Sequence, residues 1–83
     1  MFISERIKTL REKQGLNQAR LAELAGLPQS AVARIEVGDM ANLTLKTLRK
    51  FAKAFQVELS ELLTGVTDVA EGGIYGAAEK RRT

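Results

Sequence analysis

From Ile3 to Leu63 apolar residues recur every three or four positions, the period of helices that bury one face. Ile3, Ile7 and Leu10 predict a first helix over residues 4–13, with Ser4 as its N-cap and Gly15 as its stop. Asn17 is placed to cap a second helix over 18–25 that turns Leu21, Ala22 and Ala25 inward and closes at Gly26. Pro28 suits the first turn of a third helix, because its missing N–H would be unpaired there in any case. That helix runs to about Val37 and stops at Gly38, with Val32 and Ile35 as its narrow apolar stripe. "DMAN" reads as a loop. Thr44 caps a fourth helix to about Phe55, with Leu45, Leu48, Ala52 and Phe55 on one stripe. A short fifth helix spans roughly 59–63 and ends at Gly65. The expected fold is therefore all-α: a compact five-helix domain over residues 1–65.

From Val66 the period is lost. "VTDVAEGGIYGAAEKRRT" holds three of the chain's seven glycines and a charged end, and reads as a flexible tail over 66–83. Two readings of it stand: a solvated tail, or a partner-binding segment anchored by Ile74 and Tyr75. The net charge of the 83-residue chain is +3. Residues 1–65 hold ten Lys/Arg and seven Asp/Glu, whereas 66–83 hold three of each, so the excess sits in the N-terminal body. There is no Cys and no His, which removes disulfides, thiolate metal sites and the commonest general base. No phosphate-binding loop or convergent acid pair is visible either, so the sequence points away from an enzyme and implies no metal and no cofactor. No apolar run approaches the length of a membrane span, and charges interrupt the N-terminus where a signal peptide needs apolar residues. A cytoplasmic setting follows as the expectation.

The third helix has an unusual exposed side. Gln29 and Ala33, and Ser30 and Arg34, are each four residues apart and so share a face. A surface helix ordinarily shows Lys and Glu there. Two short helices joined by a few residues including a glycine form a helix-turn-helix. Ala22 and Ala25 keep the second helix slim for the crossing, while Val32 and Ile35 fill it from the other side. The stretch "LNQARLAELAGLPQSAVARIEVG" resembles the helix-turn-helix of the Cro and phage-repressor (Xre-like) family. The match runs through Leu16, Gln18, Leu21, Ala22, Gly26, Gln29, Val32, Ile35, Glu36 and Gly38, flanked by Ile7, Leu10 and Arg11 before it and "LTLKTLRKFAKAFQVELSELL" after it. It covers residues 3–64.

The resemblance implies that the third helix enters the major groove of double-stranded DNA with Gln29, Ser30, Ala33 and Arg34 against base edges. Gln29 suits adenine, Arg34 suits guanine, Ser30 can donate or accept, and Ala33 can meet a thymine methyl. Helix-start polarity alone is the plainer reading of Gln29 and Ser30. The resemblance further implies phosphate contacts at Asn17 and Gln18, where free N–H groups and the positive dipole end favour an anion. It also implies a partly buried ion pair between Arg11 and Glu36. The sequence departs from the family where relatives often carry phosphate-gripping cations. "GDMANLTLK" offers Asp39 and no base before Lys46, which leaves Asn42, Thr44, Lys46 and Thr47 for phosphate and suggests a shallow salt dependence. Lys46 also reads as a plain solvated charge. Val37 is apolar where relatives are often polar, and the sequence offers no account of it.

One such unit reads only a few base pairs, and the family reaches specificity by dimerising. Leu59, Leu63 and Val66 are the expected dimer patch, with Leu62 in the monomer core; the first three could equally close that core. The expected function is a sequence-specific regulator, a repressor acting as a homodimer on a palindromic operator. The alternatives are an antitoxin that also binds a toxin, and a protein-interaction adaptor that keeps the fold without DNA binding.

Overall fold

The computed structural model describes residues 1–41 and 43–67. Asn42 and the tail from residue 68 onward, with Ile74 and Tyr75, lie outside the described residues. Five helices follow in order: α1 (Ile3–Lys13), α2 (Gln18–Ala25), α3 (Gln29–Glu36), α4 (Leu45–Phe55) and α5 (Leu59–Leu62). The described residues include no strand, and no helix among them is long and apolar enough to cross a membrane. α2 lies at the centre, packed against α3 and α4; α1 braces α3 and α4, and α5 closes against α4.

Local chemistry sets most of the helix ends. Asn17 Oδ1 accepts from the Arg20 N–H at 2.8 Å, and Thr44 Oγ1 accepts from the Thr47 N–H at 3.2 Å. α2 ends where Gly26 takes φ +69°; the Gly26 N–H then reaches the Glu23 carbonyl and the Leu27 N–H reaches that of Ala22. Pro28 is the N-cap of α3 rather than its first residue, with its carbonyl accepting from the Ala31 N–H. α4 closes with the same hydrogen-bond pattern as α2, but the left-handed residue is Gln56 (φ +61°), a conformation that a residue with a Cβ enters at a cost.

Two expectations are corrected. Ser4 does not cap α1: the helix starts one residue earlier and Ser4 is buried within it, because Ile3 must be helical to stack with Ile7 and Leu10 in the core. Phe2 takes the cap position, and its N–H donates to Glu5 Oε1 at 3.3 Å. On α4 the buried stripe is Leu48, Phe51, Ala52 and Phe55, with Leu45 only half-buried at its edge. The rings of Phe51 and Phe55 stack at 6.4 Å. Leu43, which precedes α4 in the connecting segment, is also core.

α1 ties down the far helices through two side chains. Arg6 donates from Nε to the Leu62 carbonyl at 3.0 Å and from Nη2 to that of Glu61 at 2.7 Å, which puts a cation on the negative end of α5. Gln14 Nε2 donates to the Phe55 carbonyl at 3.0 Å, which occupies an acceptor at the end of α4.

Phe51→Ala removes a fully buried ring and should lower unfolding stability by ~3–5 kcal/mol. Gln56→Gly should raise it by about 1 kcal/mol by relieving the left-handed backbone. Urea denaturation followed by circular dichroism reads both as shifts of the midpoint at constant slope.

Candidate nucleic-acid interface

The surface that matters begins with how α3 is held. Val32 and Ile35 are buried against α1 and α2, and this fixes which side of α3 faces outward. Gln29, Ser30 and Arg34 are exposed on that side and Ala33 is half-buried among them. No described residue hydrogen-bonds or ion-pairs with the side chains of Gln29, Ser30 or Arg34. The face thus offers an amide, a hydroxyl, a methyl and a forked cation, all uncommitted.

The end of α3 is locked by a buried carboxylate. Glu36 Oε2 accepts from Arg11 Nε at 2.7 Å and Oε1 accepts from Arg11 Nη2 at 3.0 Å, a two-pronged geometry. The side chains are 3% and 12% exposed. Arg11 Nη1 also donates to the Leu16 carbonyl at 2.9 Å, and Gln18 Nε2 donates to Glu36 Oε1 at 3.1 Å. One cluster therefore joins the end of α1, the turn after it, the start of α2 and the end of α3. The hydrogen bonds that Arg11 donates to Glu36 raise its pKa above the ordinary Arg value. Burial works against this, and the charges of Glu36 and Glu12 add to it.

Gln18 is consequently turned inward, with one amide hydrogen committed to Glu36. Beside it, the backbone N–H groups at the start of α2 and the Asn17 side-chain NH2 point a positive end outward. Thr44 and Thr47 sit together at the start of α4, their hydroxyl oxygens 3.2 Å apart, with exposed Lys46 between them in the chain. Asp39 in the preceding loop accepts from the Ala41 N–H at 3.1 Å. This turn-forming bond gives the acid a local role.

Leu59, Leu63 and Val66 are half-buried along the rim of the core, and Leu62 is inside it. Val37 is 82% exposed at the end of α3 and lines a recess with Phe2 and Met40 between α1 and α3. The described residues contain no group of three or more His, Cys, Asp or Glu placed to hold a metal ion. Sequence reasoning missed the Gln18–Glu36 bond and the helix-end contacts of Arg6 and Gln14. All three join residues at least 18 positions apart, and no local pattern signals them.

The sequence model of the Helix-turn-helix family matches residues 7–62. Over 60 residues the chain is 40% identical to the HTH-type transcriptional regulator PuuR of Escherichia coli, covering 72% of this chain and 32% of that protein. Over 54 residues it is 43% identical to a protein of Mycobacterium tuberculosis provisionally named antitoxin HigA2, covering 65% of this chain and 54% of the relative. The chain thus spans about a third to a half of the length of these relatives. The crystal structure of SinR, master regulator for biofilm formation, in complex with DNA superposes with a TM-score of 0.68 at 32% identity, covering 75% of this chain and 98% of that one.

Arg11→Ala strands the Glu36 carboxylate and should cost about 3 kcal/mol, the lower end for a buried pair because Arg11 keeps some exposure. Arg11→Met with Glu36→Leu should recover most of it. A double-mutant cycle by urea denaturation checks this, and equal losses in the single and double variants would contradict it. On the alkaline side, the Arg11 pKa is raised by folding. Its contribution is therefore complete below the ordinary Arg value and falls only as pH rises through the higher folded value, so wild-type stability should show no loss from this pair at moderately alkaline pH.

Proposed function

The chain belongs to the helix-turn-helix family matched over residues 7–62, and from that premise we propose that it is a sequence-specific double-stranded-DNA-binding transcriptional regulator. It acts as a repressor, binding a two-fold operator as a homodimer. The observation that carries this reading is the uncommitted face of α3. Exposed polar groups of mixed donor and acceptor character, on a helix pinned by its opposite side, suit the edges of base pairs in a major groove.

In this reading Gln29 pairs with adenine N6 and N7, Arg34 forks onto guanine O6 and N7, Ser30 serves either sign, and Ala33 packs on a thymine methyl. The start of α2 binds a phosphate through its backbone N–H groups and the Asn17 amide, with Gln18 contributing its backbone and its remaining amide hydrogen. Thr44, Lys46 and Thr47, with Asn42 two positions before Thr44 in the sequence, hold a second phosphate. Leu59, Leu63 and Val66 meet their counterparts in a second copy, which doubles the bases read. A dimer seated on an operator that overlaps a promoter represses by occupying the site that polymerase needs.

A second reading, that the chain is an antitoxin which also represses its own operon, draws support from the similarity to the antitoxin-named relative. It keeps the same DNA-binding surface and adds a toxin as partner. Stoichiometric co-purification with the product of the adjacent gene would favour it.

Fluorescence anisotropy with duplexes tiling the DNA upstream of the coding sequence tests the main reading. One duplex should bind with clear preference at physiological salt, with an apparent mass in sedimentation equilibrium of two chains per operator. Gln29→Ala and Arg34→Ala should each cost ~1–3 kcal/mol on that duplex and relax the preference at one base pair. Wild-type affinity that is indifferent to sequence would refute the reading.

A further inference from the structure

The positive charge of this domain is concentrated on one helix. α4 carries Lys46, Arg49, Lys50 and Lys53 and no acidic residue. Without it, the rest of residues 1–67 holds six Lys/Arg against seven Asp/Glu. Three of those six are committed: Arg6 to the end of α5, Arg11 to Glu36, and Arg20 to Glu23 at 2.8 Å. The four cations of α4 have no hydrogen-bond or ion-pair partner among the described residues. Together with Leu45 they line one shallow recess on the side of α4 opposite the core.

This arrangement does not serve the helix itself. Like charges three and four residues apart repel, and a cation in the first turn opposes the helix dipole. Side chains on a helix lean toward its N-terminus, so the heads of Arg49 and Lys50 are carried back over the turn that holds Lys46. All three charges therefore gather at the Thr44 end, where the free N–H groups and the positive dipole of α4 add to them.

We propose that Arg49 and Lys50, with Lys46, bind the DNA phosphates flanking the bases that α3 reads, and that this ridge supplies the cations the α3–α4 loop lacks. The inference rests on the DNA-binding reading above. It reverses the expectation of a shallow salt dependence, because neutralised phosphates release counterions and steepen the fall of affinity with salt. Specificity then resides on α3, and most of the electrostatic affinity on α4.

The test is the slope of log K against log salt on the preferred duplex. Arg49→Gln and Lys50→Gln should each reduce it by about 0.9, and the double variant should shrink the ratio of affinities at 50 and 200 mM salt roughly tenfold. The preference among duplexes should stay unchanged in all three. Lys8→Gln makes the same charge change on the exposed side of α1 and should leave the slope intact. An unchanged slope in the double variant would overturn the proposal, as would an equal fall with Lys8→Gln, which would assign the effect to net charge. An unchanged slope accompanied by lost binding of an acidic amphipathic peptide would give the ridge to a protein partner instead. Absence of any sequence preference in the unaltered chain would defeat the DNA reading itself. Unchanged urea midpoints keep each variant interpretable.

Discussion

The carboxylate of Glu36 is the constraint on which the working surface depends. It is almost wholly removed from water, and an unpaired charge there would cost several kcal/mol. Arg11 and Gln18 must both be in place to satisfy it, and Arg11 must in turn hold the Leu16 carbonyl. Three helices and a turn are thereby set in one geometry. The apolar contacts of Val32 and Ile35 decide which side of α3 faces outward. They are non-directional, however, and leave small slides along the helix axis inexpensive. The two-pronged contact at Glu36 is directional and closes that freedom. If α3 reads bases as proposed, its side chains must meet base edges within a fraction of an ångström, and on that reading the ion pair serves to fix position more than to add net stability.

The legible parts of the fold are those decided by short-range chemistry. Asn17, Gly26 and Thr44 mark helix ends because each acts on backbone groups within three or four residues of itself, and the structure places α2 and α4 where they indicate. The illegible parts are those decided by distant neighbours. Ser4 has the chemistry of a cap, yet Ile3 is drawn into the helix by the core and takes the start with it. Gln56 adopts a glycine-like conformation because α5 must turn back onto α4 within a few residues. Nothing in its side chain announces this. Leu43 looks like a loop residue until the connection is seen to pass over the core.

The same division runs through the candidate interface. The face of Gln29, Ser30, Ala33 and Arg34 could be read from four-residue spacing alone. The inward turn of Gln18 could not, since it depends on an acceptor 18 residues away. The basic ridge is an intermediate case. Lys46, Arg49 and Lys50 stand at helical spacing in plain view, but a charged helix face reads as ordinary solubility until the rest of the molecule is known. Their meaning comes from the contrast: half of the remaining cations are spent on contacts within the domain, and the domain without α4 carries no positive excess.

A separation of roles follows from that contrast. In the proposed arrangement the α3 face has a single cation, so swapping its residues would change which bases are preferred while leaving most of the attraction to phosphate intact. The ridge would make no contact with base edges in this arrangement, so changing it would alter how tightly and how quickly any duplex is held, with little effect on which one. Glu36 connects the two, because the helix it anchors and the helix that carries the charge both pack on α2. A shift of α3 against α2 would move the bases being read relative to the phosphates being held, and both sets of contacts could not then be made on one duplex. On this proposal the rigid joint at Glu36 serves phosphate binding on α4 as much as base reading on α3.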